Sequence, residues 1–105
     1  MQTQVKNKKE LLERIVSGKD KIHSYGVKRL GIFGSFARDE AGNNSDVDFF
    51  VEFYPEQKTF DHFMELGFFL EEITGRKIEL VTPQSLNKFI GKYIVNEVEY
   101  VALAA

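Results

Sequence analysis

Three short patterns in this chain carry groups that can handle phosphate and metal chemistry. Gly34-Ser35 follows an apolar stretch, Lys28 to Phe33, that reads as a strand, and precedes a stretch that reads as a short helix. A glycine at such a junction lets backbone N–H groups approach an anion, the start of a helix adds partial positive charge, and Ser35 adds a hydroxyl. A tight turn with a serine N-cap has the same appearance. After ten intervening residues come Asp46 and Asp48, two apart on a second predicted strand. That spacing puts both carboxylates on one face, about 6–7 Å apart at the backbone. Like charges so close repel unless one is protonated or a hard divalent cation is shared between them. An amphipathic strand with an acidic outer face is the other reading. Glu79, between Ile78 and Leu80 on a third predicted strand, joins the pair if its strand lies beside Asp46–Phe53. Otherwise it is a charge guarding a sheet edge.

The elements that must hold these groups follow from periodicity. Leu11, Leu12, Ile15, Val16 and Ile22 recur at helical spacing and predict a helix from about Asn7 to Ser24, with Gly18 as a place to bend or fray. Gly26 is a plausible stop. Phe36 to Glu40 predicts a short helix, closed by the turn-rich Ala41-Gly42-Asn43-Asn44. From Asp46 to Phe53 the sequence alternates, with Val47, Phe49, Val51 and Phe53 on one face and Asp46, Asp48, Phe50 and Glu52 on the other. Phe60 to Thr74 predicts a helix stopped by Gly75, and Lys77 to Val81 a strand. Pro83 opens a last helix carrying Leu86, Phe89, Ile90, Ile94, Val98 and Val101. The order α-β-α-β-α-β-α predicts an α/β (α+β) fold, a small sheet of three strands, with room for a fourth at an edge, flanked by helices.

At 105 residues the chain suits one domain over 1–105. Its 43% hydrophobic and 13% aromatic content can fill a core. It has no cysteine, so disulfides, thiolate zinc sites and cysteine nucleophiles are excluded. No apolar run approaches ~18 residues, and MQTQVKNKKE has no apolar segment of a signal peptide, so a soluble cytoplasmic protein is expected. No GxxxxGK loop is present, and His23 and His62 stand alone. His62 reads as a surface or interface residue. Net charge is +5 over residues 1–33 and −7 over 34–105. The acidic part disfavours direct DNA binding and suits a site that concentrates divalent cations. Lys6, Lys8 and Lys9 form only a small basic tip.

The combination GSFARDEAGNNSDVDFFVEF followed by IELV resembles the minimal nucleotidyltransferase family of the DNA polymerase beta superfamily, over about Val27 to Val101. The resemblance implies a nucleotidyltransferase fold with a mixed sheet, two Mg2+ ions, and transfer of a nucleoside monophosphate, AMP from ATP, to a hydroxyl acceptor. It implies nucleotide contacts from Gly34, Ser35 and Arg38. Asp46, Asp48 and Glu79 take the metal-binding and catalytic roles. Arg38 also reads as a surface partner of Asp39 or Glu40. Two departures stand out: the family's third carboxylate is commonly Asp, and its post-Gly-Ser stretch is more basic than Phe36–Glu40.

Stand-alone members are often paired with a helical HEPN-domain protein, a toxic ribonuclease, and act as antitoxins by adenylylating it. The alternatives are a decayed nucleotidyltransferase that neutralises its partner by contact alone and a dimer of the chain that modifies a small molecule. The helix Phe60–Thr74 is apolar around most of its circumference, with polar residues at Asp61, Glu65 and Glu72. That surplus marks it as either a partner interface or an aromatic core helix.

Overall fold

A computed structural model describes residues 2–85 and 90–103 of the chain. The helices are α1 (Lys8–Ser17), α2 (Lys19–Ser24), α3 (Gly34–Ala37), α4 (Phe60–Thr74) and α5 (Ile90–Glu97). The strands are β1 (Val27–Phe33), β2 (Val47–Phe53), β3 (Ile78–Val81) and β4 (Glu99–Tyr100). They form one mixed sheet in the order β3-β2-β1-β4, with β1 antiparallel to both β2 and β4, and β2 parallel to β3. The expected α+β architecture and its fourth edge strand are both present. None of the described helices is long and apolar enough to cross a membrane.

One face of β2 is the floor of the core. Val47, Phe49, Val51 and Phe53 are all buried, paired across to Leu30 and Ile32 of β1. Leu11 and Ile15 of α1, Ile22 of α2, and Leu66, Leu70 and Ile73 of α4 pack on that face. Each such side chain contributes about 1.5–3 kcal/mol when fully buried. On the opposite face lie Phe33, Asp48, Phe50, Glu52 and, from β3, Glu79. Phe50 is nevertheless buried, with the Tyr100 ring edge-on at 6.4 Å between centroids.

The expected single helix over 7–24 is two helices, broken at Gly18. A Cβ at Gly18 would lie 2.9 Å from Cζ of Phe69, so α4 crosses where the side chain is missing. The last helix ends at Glu97 rather than reaching Val101. Val98 to Val101 alternates β-branched, acidic and aromatic residues, a strand-forming composition. The Val101 N–H donates to the Leu30 carbonyl at 2.8 Å. Gly31 permits this close approach, since a Cβ there would meet Cγ1 of Val98 at 2.4 Å. Leu86 and Phe89, assigned to that helix from periodicity, lie outside the described residues.

α4 spans the expected residues. Thr59 caps its start by accepting the His62 N–H at 3.1 Å, and Gly75 ends it in the left-handed region at φ 66°. Its buried face is set by Leu66, Leu70 and Ile73, while Phe60 is 77% and Phe68 62% exposed. The helix therefore has both a core face and an apolar solvent face.

Candidate active site

β1 delivers the chain to Gly34, whose φ of 72° is in the region that favours glycine. The chain then makes the single helical turn α3, with Ser35 half-buried in it. One turn carries little dipole. What this junction offers an anion is the backbone N–H groups of a helix start and the Ser35 hydroxyl. A Cβ on Gly34 would lie 2.2 Å from Oδ2 of Asp48. The carboxylate of β2 is thus laid against the Gly34 backbone, which only glycine allows.

Asp48 sits between two neighbours in register, Phe33 on β1 and Glu79 on the parallel strand β3. The predicted pairing of β3 beside β2 is present, and it places Glu79 next to Asp48. Asp46 immediately precedes β2 and is exposed, as is Glu79. Burial, followed by the charges of Glu79, Asp46 and Glu97, pushes the Asp48 carboxyl up from 3.8 to about 6, with Arg38 opposing. An acid pressed among acids in this way gains from a divalent cation.

The donors are all oxygens, as a hard ion prefers. Among the described residues, no group of three or more His, Cys, Asp or Glu side chains is placed to hold a metal ion by itself. Mg2+ keeps several waters and is usually bound by one or two carboxylates plus phosphate oxygens, so neighbouring Asp48 and Glu79 suit it together with a nucleotide rather than alone.

Arg38 closes α3 and forms ion pairs with Glu97 and, at 3.6 Å, with Glu40. Glu40 was foreseeable as a partner from its spacing. Glu97, from the end of α5, was not. Asp39 adopts φ 55° where the chain leaves α3, and its Oδ1 accepts the Lys8 N–H at 3.1 Å. The imidazoles each meet a backbone carbonyl, His23 that of Leu103 at 2.6 Å and His62 that of Gln57 at 2.7 Å. Arg76 was passed over by sequence reasoning, because a basic residue between a helix stop and a strand matches no pattern. It is buried, and its guanidinium holds the loop that leads into Asp46.

Beside Glu79 runs an apolar groove of about 330 Å3 between α4 and β3, lined by Met64, Gly67, Phe68, Ile78 and Leu80 among others. It joins the carboxylate cluster to the exposed face of α4.

The family described as Nucleotidyltransferase domain matches residues 9–101. Protein adenylyltransferase MntA of Thermococcus cleftensis is 40% identical over 95 residues, covering 90% of this chain and 85% of that protein. A solved structure provisionally described as a minimal nucleotidyltransferase superposes with a TM-score of 0.72 at 24% identity, covering 93% of this chain and 98% of the other. An MNT antitoxin solved in complex with a tri-AMPylated Shewanella oneidensis HEPN toxin gives a TM-score of 0.54 at 16% identity, covering 82% and 70%. At those identities the two structures speak for the fold.

Proposed function

The chain belongs to the nucleotidyltransferase domain family, and on that footing we propose that it transfers AMP from ATP to a hydroxyl group of a HEPN-class partner protein and so acts as its antitoxin. The observation that carries this reading is the placement of Asp48, against the Gly34 backbone on one side and in register with Glu79 on the other. A loop suited to an anion and two carboxylates suited to a cation then lie side by side, which supports the reading.

Asp46, Asp48 and Glu79 would hold Mg2+, two ions in all, which would supply neutralisation of phosphate charge and acidify the acceptor hydroxyl. The remaining work falls to the chain's own groups. Gly34 admits the phosphate chain close to the backbone, and Ser35 donates a hydrogen bond to it. Arg38 turns from Glu97 to the triphosphate. Glu79, exposed at the rim, takes the acceptor's proton. The acceptor oxygen bonds to the α-phosphorus, the bond from that phosphorus to the bridging oxygen breaks, and pyrophosphate leaves. Such transfers depend mainly on positioning and electrostatics.

A protein acceptor is supported by the groove beside Glu79 and by the exposed Phe60 and Phe68 of α4. The relative named protein adenylyltransferase points the same way. The test is intact-mass spectrometry of the partner after incubation with this chain, ATP and Mg2+, with Asp48→Asn alongside. An AMP adduct absent with the variant supports the reading. A stable complex with no adduct favours contact-only neutralisation, a second reading that the Arg38–Glu97 ion pair favours because it occupies the triphosphate-binding cation. Turnover with no partner present would point instead to a small-molecule acceptor.

A further inference from the structure

Arg76 is 5% exposed and lies between Gly75 and β3. Its Nε donates to the Val5 carbonyl at 2.8 Å. Its Nη1 donates to the Gly42 carbonyl at 2.9 Å and the Ser45 carbonyl at 2.7 Å, with that of Asn43 at 3.5 Å. The guanidinium carbon stands 4.8 Å from the centroid of the Phe36 ring. One planar group therefore touches α3 just after Ser35 and the loop just before Asp46. The adjoining residue continues the clamp, because the Lys77 carbonyl accepts the Val47 N–H at 3.0 Å.

A buried cation held by carbonyls and a ring face is a costly way to fill space. An apolar side chain would fill it more cheaply, but it would not fix the loop. Burial lowers the guanidinium pKa and the charge of Asp46 opposes that shift, so Asp46 lies within its electrostatic reach. Arginine suits the task because its rigid fork can serve several acceptors while its face stacks.

We propose that Arg76 is a positioning residue that fixes the separation between the Gly34-Ser35 loop and the Asp46/Asp48 pair. Its role presupposes the reading above, in which those carboxylates hold the ion. Without this clamp the loop 38–45 has freedom at its Asp46 end, and the ion loses a preformed site.

The test compares the parent with Arg76→Lys and Arg76→Met, using Mn2+ alone as the probe and no turnover. Mn2+ affinity is read by water-proton relaxation, and amide hydrogen exchange is followed along the chain. Loss of a group that orients metal ligands typically weakens binding by about 10–100-fold. We expect a Mn2+ Kd at least about tenfold higher in both variants, with the larger change for Met, and faster exchange confined to residues 42–48. Variants with the parent's Kd and loop exchange would overturn the proposal. So would exchange that accelerates evenly throughout the chain, which marks a merely structural role. If the parent binds no Mn2+, the ion reading falls, and exchange at 42–48 alone decides whether Arg76 positions the loop. Should Arg76→Met fail to fold, Arg76→Lys decides alone, because it keeps the charge and loses only the planar fork that serves several carbonyls.

Discussion

The Asp48 carboxylate occupies the space that a side chain at Gly34 would need, with Oδ2 2.2 Å from where a Cβ would stand. The glycine is therefore required twice, for its φ of 72° and for contact with a group on another strand. Gly34→Ala must strain the backbone and push Asp48 aside. The expected outcome is a stability loss of about 1–2 kcal/mol from the left-handed conformation alone. Transfer should fall by about 100-fold, the scale of a 1 Å misplacement. Urea melts and AMP-transfer rates check both.

Asp48 makes the fold sensitive to pH in an unusual direction. Its folded pKa, about 6, lies above its ordinary 3.8, so the folded protein holds this proton more tightly than the unfolded chain does. The associated stability is fully present below about pH 4 and is lost as pH rises through 6. In chelator, Asp48→Asn is expected to raise the melting temperature at pH 7 and to flatten its decline between pH 4 and 7; with Mg2+ and ATP present it is expected to abolish transfer. A variant that melts below the parent at pH 7 would contradict this.

Arg38 is ion-paired with Glu97, which would compete with a triphosphate for it. Removing the competitor should free it. Glu97→Gln is expected to lower the KM for ATP by about 1.5- to 5-fold, the worth of an exposed ion pair. Arg38→Gln should raise that KM and leave Glu97→Gln without effect in the double variant. Initial rates at low and high salt check this, because added salt should shrink the Glu97→Gln effect.

Phe68 faces solvent at 62% exposure and lines the groove that ends at Glu79. Phe68→Glu should change stability by no more than about 0.5 kcal/mol, as surface substitutions do. If the groove seats the partner, complex affinity should drop by more than about 2 kcal/mol, as at an aromatic hot spot. Calorimetric titration of the partner and thermal melts separate the two effects.

Much of this arrangement is legible from local pattern. Alternation along Val47–Phe53 sets which side of β2 is core, and that fixes Asp48 on the opposite face. Thr59 and Gly75 mark both ends of α4. Gly18 is legible as a place to bend, though not the crossing of Phe69 that settles it. What escaped is what depends on distant contacts. Gly31 lets Val98 approach, and Glu99–Tyr100 becomes an edge strand with no local signature at Gly31. The Glu97 partner of Arg38 and the carbonyls gathered by Arg76 are likewise set by the closing of the fold, from residues dozens of positions apart.

β4 is two residues long, yet it covers the outer edge of β1. On the ribosome, β1 is made early and waits for residues 99–101 before that edge is paired. Until then a row of unsatisfied backbone groups faces solvent, open to pairing with a neighbouring nascent chain. A frameshift or proteolytic cut just before Glu99 would make that state permanent. Such a fragment would keep Gly34, Asp48 and Glu79 and still be prone to assemble edge to edge.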